Sequence, residues 1–470
     1  MRGSMSVSLK IFFRTILYLA TYAILLVLSN LFLIQMYNAA NYLAEYHVAC
    51  LRLGIVGYIV FSFLSYEYTN LPRACSLQEV LESIPMSKAN IVFSQSIILL
   101  SLLFVWCCNV FGWILGKYMQ SGISYPQFFF NAVPSLILDF FLPGVIAVLL
   151  GVILSQKTVR EVAYCIIIIS ALLCSPVPSK IFAGESIFGH SILSLFDWFS
   201  ILAPNTNWVA DDIYGVSIEA YRWALAAFWI LLLIATIIFI VTEGRKKFKI
   251  LASVCAALAL ICCVRFTLRS NDSIIRKDYR PNGTLQYEYT YRQNNPKQEE
   301  LPADFTVSQY YINLTVRSNT KANVIIELEP NSLREFHFTL YHGYNIDSVR
   351  DENECELEFD RDGDYVTIYS TEGTQKLNFE YSGTSGKYFA NYQGIALPGY
   401  LPYYPVPGFI KVWESGQIVA NTDRPATNYE VYVDSDLTVA SNLKKSGHNT
   451  FSGKAEGVSL YAGMIVSEEI

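Results

Sequence analysis

Between residues 11 and 266 the chain passes through seven apolar stretches of near membrane-spanning length, at 11–34, 49–65, 90–115, 128–155, 162–176, 223–242 and 250–266. A helix crossing about 30 Å of hydrocarbon at about 1.5 Å per residue needs roughly 20 such residues, and its backbone groups must be satisfied within the segment. A polytopic helical membrane domain of about seven spans is therefore expected, with 162–176 the shortest member. The first stretch is too long for a signal-peptide core and has no small-residue cleavage site, so it reads as a retained span.

Charge divides the chain into two solvents. Residues 1–266 carry 16 Lys and Arg against 12 Asp and Glu, while residues 267–470 carry 18 against 28. An acidic water-facing half without a basic cluster argues against nucleic acid as a partner. Nine of the ten cysteines lie in the apolar half, which leaves Cys355 alone in the polar half, so no disulfide can close within it.

Orientation follows from the flanking basic residues, because Lys and Arg are retained on the cytoplasmic side. With the N-terminus inside, the inner segments carry Arg2, Lys10, Arg73, Lys88, Lys157, Arg160, Arg245, Lys246, Lys247 and Lys249, and the outer ones chiefly Lys117 and Lys180. Seven spans then place residues 267–470 outside the cytoplasm. Arg14, four residues past Lys10, can snorkel to the inner surface. Asp139 has no such route. A carboxylate within a span requires a partner or a watery cavity, which makes Asp139 the candidate pathway residue.

The inner loop 66–89 contains SLQEVLESIP at 76–85. Ser76 and Glu79 form a capping box, Pro85 ends the segment, and Leu77, Val80, Leu81 and Ile84 make an apolar stripe at helical spacing. The run LESIPMSKANIVFSQ resembles the segment after the second span of type-two, exporter-class ATP-binding-cassette permeases, and SILSLFDWFSILAPN (191–205) resembles that family's outer half-membrane hairpin. The resemblance covers residues 1–245. It implies that Leu77, Val80, Leu81, Glu82, Ile84 and Pro85 couple to a separate cytoplasmic ATPase, which would hold ATP and Mg, and that two permease protomers enclose the pathway.

From about residue 283 the period changes from helical to alternating, in short Tyr, Val and Ile-rich segments separated by Asn, Asp, Gly and Pro. An antiparallel, sandwich-like β domain is expected. Residues 305–470 resemble the N-terminal β domain of aminopeptidase-N-like zinc metallopeptidases, through FTVSQYYINLTV, LNFEYSGTSG with LPGYLPYYPVPG, and YEVYVDSDLTVASN. That family keeps its zinc in a later domain bearing His-Glu-x-x-His, and no such motif occurs here. His337 and His342, read as strand residues five apart, fall on opposite faces and offer no joint metal site. DRDGDY (360–365) lacks the EF-hand spacing and reads as a solvated hairpin. No phosphate-cradling glycine loop and no nucleophile with an assignable base is present. No catalytic or metal-ligating residue and no cofactor is therefore assigned to this chain. Tyr400, Tyr403 and Tyr404 are rigid aromatics that suit recognition of an extended peptide, or else simply pack a long loop.

The organisation expected is a six-span permease-like domain (1–245), a seventh span (246–268) and an extracytoplasmic β domain (269–470). The function expected is that of a plasma-membrane permease subunit exporting a peptide or hydrophobic compound. The alternatives are a membrane-anchored sensing module and a peptidase-like protein lacking its zinc domain.

Overall fold

A computed structural model describes residues 2–40, 43–75, 87–120, 126–175, 177–178, 186–187, 190–191, 196–202, 210–211, 215–216, 218–242, 246–268, 291, 299–384, 388–414, 417–420 and 424–463. It divides into two compact units, Met1–Asp272 and Ser273–Ile470.

The first unit is helical: α1 (Arg2–Arg14), α2 (Ile16–Ala39), α3 (Leu43–Ala74), α4 (Ser87–Gln120), α5 (Pro126–Leu136), a π-helical turn (Ile137–Phe141), α6 (Leu142–Lys157), α7 (Arg160–Cys174), α8 (Ala220–Val241) and α9 (Lys246–Thr267). Two small ribbons, β1 (Ser186–Ile187) with β2 (His190–Ser191) and β3 (Ala210–Asp211) with β4 (Gly215–Val216), lie between α7 and α8. Among the described residues six helices are long and apolar enough to cross a membrane: Ile16–Ala39, Glu45–Ala74, Ser87–Gln120, Phe129–Lys157, Ala220–Val241 and Lys246–Thr267. The expected stretch 162–176 falls in α7, whose 15 residues span only about 22 Å.

The first stretch also differs from expectation. Thr15 is extended (φ −85°, ψ 104°), so the apolar helix begins at Ile16 and residues 2–14 form a separate helix. That helix folds back on the end of α3. Tyr68 donates its hydroxyl to the Ser8 carbonyl at 2.6 Å, and the Phe12 ring meets Tyr68 edge-on and stacks on Tyr18. Arg14 is exposed and belongs to α1 rather than to a span.

Small residues let the long helices approach closely, which substitutes for a hydrophobic drive where lipid is the solvent. A Cβ on Gly57 would lie 2.2 Å from the buried Trp106 ring, and one on Gly151 would lie 2.5 Å from the Ser62 carbonyl oxygen. Polar side chains then bond across the α3–α6 seam and between α2 and α4: Ser65 Oγ donates to the Val148 carbonyl at 2.7 Å, Thr69 Oγ1 lies 2.8 Å from Ser155 Oγ, and Trp106 Nε1 donates to Ser29 Oγ at 3.0 Å.

The second unit is all β. A seven-stranded sheet has the order β19 (Lys444–Gly447), β20 (Thr450–Ala455), β17 (Thr427–Asp434), β5 (Val307–Val316), β6 (Thr320–Leu328), β11 (Lys376–Gly383), β8 (Tyr344–Arg350). Its pairs are antiparallel except β17 with β5, which run parallel. Two four-stranded sheets accompany it. One contains β14 (Val406–Pro407), β7 (Glu335–Thr339), β10 (Tyr365–Tyr369) and β9 (Glu358–Asp362); the other contains β12 (Ala390–Asn391), β13 (Gly394–Leu397), β21 (Leu460–Ala462) and β18 (Val439–Ser441). A last ribbon pairs β15 (Trp413–Glu414) with β16 (Gln417–Ile418). Alternation decides what faces inward: Thr427, Tyr429, Val431 and Val433 of β17 are buried while their neighbours are not. The expected segment 283–292 lies outside the described residues except for Tyr291.

The hairpin at 360–365 is less solvated than expected. Asp362 pairs with Tyr365 across a two-residue turn, Gly363–Asp364, with Gly363 at φ +64°. Asp364 is buried, accepting from the His342 backbone N–H at 2.7 Å with His342 Nδ1 at 3.0 Å from the same oxygen. Arg361 donates to the Leu340, Tyr341, Tyr344 and Gly363 carbonyls. His342 itself sits in a turn rather than on a strand, so the face argument does not apply to it.

Candidate functional site

The fourth stretch is interrupted where its carboxylate sits. Pro143 has no N–H, so the carbonyl of Asp139 loses its ordinary helical donor, and Leu142 N–H bonds instead to the Ile137 carbonyl, making a π turn. The helix α3 passes directly against this turn. A Cβ on Gly54 would come 2.9 Å from the Asp139 carbonyl oxygen, so only glycine fits there without displacement.

Three polar residues precede or occupy the turn at helical spacing, Asn131, Ser135 and Asp139, and all three are buried. Each meets a different element. Asn131 clamps β4, donating Nδ2 to the Val216 carbonyl at 2.7 Å and accepting from its N–H at 3.1 Å. Ser135 Oγ lies 3.1 Å from Nε2 of the buried His47 on α3. Asp139 Oδ1 accepts a hydrogen bond and ion pair from Arg222 Nη2 on α8. Glu219, at the N-cap of α8, places Oε2 4.0 Å from Arg222 Nη1.

Burial makes this cluster consequential. The Asp139 and Arg222 side chains are 0% and 4% exposed. Two opposite charges removed from water attract strongly, but their lost hydration largely offsets the gain, and removal of one partner strands the other at a cost of about 3–5 kcal/mol. The pair is therefore a connection between two helices that is stable when closed and costly to leave half-made.

Of the residues singled out from sequence, Asp139 lies at the centre of this cluster. Leu77, Val80, Leu81, Glu82, Ile84 and Pro85 lie outside the described residues. Tyr403 and Tyr404 require correction as recognition residues: each is 1% exposed, in the core of the β unit. Tyr403 donates to the Val458 carbonyl at 3.0 Å, and the Tyr404 and Tyr429 hydroxyls are 3.3 Å apart. LPGYLPYYPVPG thus runs through the core rather than over it, because its aromatic rings bury more apolar area than a surface loop could. Tyr400 is half-buried, its hydroxyl bonded to that of Tyr388.

Sequence reasoning missed His47, Asn131, Ser135, Glu219 and Arg222. The spacing of Asn131, Ser135 and Asp139 was a usable signal, since polar residues at i, i+4 and i+8 in an apolar run share one face.

No family model matches this chain. No curated protein matches it either. Among solved structures it resembles the M1 zinc metallopeptidase from Deinococcus radiodurans, with 14% identity, a TM-score of 0.26, and coverage of 35% of this chain and 43% of that one. Native leukotriene A4 hydrolase from Saccharomyces cerevisiae gives 15%, 0.26, 38% and 32% for the same quantities. An aminopeptidase N family protein from Idiomarina loihiensis gives 12%, 0.23, 33% and 29%. The chain spans less than half the length of each of these proteins. Likeness of this degree transfers no residue role.

Proposed function

We propose that the chain is the membrane-embedded permease subunit of an ATP-driven transporter and that the Asp139–Arg222 pair is its gate. The observation that carries this reading is a buried charge pair joining two membrane-capable helices next to a π turn. Intramembrane ionisable residues are rare and by default mark substrate or ion pathways. The resemblance of 1–245 to exporter-class ATP-binding-cassette permeases supplies the motor: a separate cytoplasmic ATPase holds ATP and Mg and docks on Leu77, Val80, Leu81, Glu82, Ile84 and Pro85. Two protomers enclose a pathway for a peptide or hydrophobic compound. ATP-driven closure of the ATPase pulls the coupling segment, separates the span containing Asp139 from α8, and wets the pair. The β unit acts as a non-catalytic extracytoplasmic domain, which requires α7 to cross together with the six longer helices, and the protein resides in the plasma membrane.

Basic residues support the orientation. Val92, Val152 and Val241 pack together, which brings the ends of α4, α6 and α8 to one end of the bundle, near Lys88, Lys157, Lys246, Lys247 and Lys249. That end is cytoplasmic by charge asymmetry. Two exposed native cysteines test it directly, Cys355 in the β unit and Cys75 just beyond α3. An impermeant maleimide is expected to label Cys355 in intact cells and Cys75 only after lysis; the reverse pattern would overturn the topology. The function itself is tested by purifying the full chain from its native membranes. A stoichiometric ATP-binding-cassette ATPase is expected to accompany it and to be lost in Leu81→Asp, whereas a folded chain with no ATPase partner would refute the reading.

A further inference from the structure

At the basic end of the helical unit a cavity of ≈ 40 Å³ opens between α3, α4 and α6, room for about three waters. Its floor is polar and buried, made by Thr69 and Ser155, with Gln156 Nε2 donating to Ser155 Oγ at 3.1 Å. Arg73 and Lys88 line it as cations, and Ile91 forms an apolar wall. Arg73 commits one N–H to the Thr158 carbonyl at 3.3 Å. Neither cation has a carboxylate partner among the described residues, and no carboxylate among them lines the cavity. Two like charges sharing one opening repel, and an anion between them removes that repulsion.

Depth selects the anion. α3, α4 and the Phe129–Lys157 span that ends with α6 are membrane-capable by length and apolarity, and the cavity lies near their ends, which on the membrane reading is the level of lipid headgroups. Ile91 and Val92 of the lining offer apolar surface beside the two cations. We propose that this cavity binds the phosphate of an anionic phospholipid headgroup through Arg73 and Lys88. The proposal rests on the membrane reading of the helices alone; if no ATPase partner is found, it stands unchanged.

The test uses the full-length protein in neutral detergent, with phosphatidylglycerol, phosphatidylcholine or inorganic phosphate added and thermal unfolding recorded. Phosphatidylglycerol is expected to bind about tenfold or more tighter than phosphatidylcholine, and Arg73→Gln/Lys88→Gln to erase that preference. Lys88→Glu serves as a second variant should the double substitution unfold, and Lys88→Arg should retain the preference. Unchanged phosphatidylglycerol affinity in the folded charge variants would overturn the site. Equal stabilisation by inorganic phosphate alone, without preference between the two lipids, would overturn the lipid assignment in favour of free phosphate.

Discussion

In the helical unit two helices are joined by a buried ion pair, Asp139 with Arg222, beside Glu219, whereas the core of the β unit is crossed by neutral tyrosine hydroxyls turned onto backbone carbonyls. Tyr310 donates to the Pro405 carbonyl at 3.1 Å and Tyr381 to the Tyr403 carbonyl at 2.7 Å. The Tyr310 and Tyr429 rings stack at 5.1 Å. A hydroxyl turned onto a backbone carbonyl has one satisfied arrangement and stiffens the core around it. An ion pair between two helices can be closed in the protein or separated in water, and a switch needs two discrete arrangements of that kind.

Alkaline pH should break the contrast most visibly. Burial raises the hydroxyls of Tyr310, Tyr381 and Tyr403 well above their usual value. Their protonated forms therefore favour folding fully below the unfolded value of about 10. Above it the unfolded chain releases protons that the folded one retains, so stability falls by about 1.4 kcal/mol per pH unit for each such tyrosine. Sheet content followed by circular dichroism is expected to collapse together with a rise in tyrosinate absorbance. Complete ionisation of the tyrosines with the sheet intact would show that these hydroxyls reach water.

Asp139→Leu comes next in size. It leaves Arg222 buried without its carboxylate and should cost about 3–5 kcal/mol in detergent unfolding, with the β unit unaffected. Tyr403→Phe is smaller. It removes one neutral hydrogen bond to the Val458 carbonyl and should cost about 1–2 kcal/mol, without effect on transport. A transport defect in a well-folded Tyr403→Phe protein would place function in the β core and blur the distinction between the units.

What the sequence revealed depended on the range of the interaction. Spans are legible because lipid demands unbroken apolar runs, and β17 is legible because Thr427 to Asp434 alternate residue by residue. Asp139 stood out as a carboxylate among apolar neighbours, yet its partner did not. Arg222 lies 83 residues away at the start of a helix, where a basic residue usually marks the membrane border. Tyr403 and Tyr404 misled for the opposite reason. Their Pro and Gly neighbours describe a chain without regular structure, and only tertiary packing decides that such a chain lies in the core. His342 was read as a strand residue because the strand β7 ends at Thr339, three residues earlier, within the usual error of a boundary.

A double-mutant cycle on Asp139→Asn and Arg222→Gln, read in unfolding free energy and in ATP-driven transport, tests the central claim most directly. If the pair is a closed gate between two helices, each single substitution destabilises the protein and impairs transport. The double variant should then recover much of the lost stability, with a coupling of about 2 kcal/mol or more, while transport stays impaired. Additive stability effects, or single variants that transport normally, would contradict it.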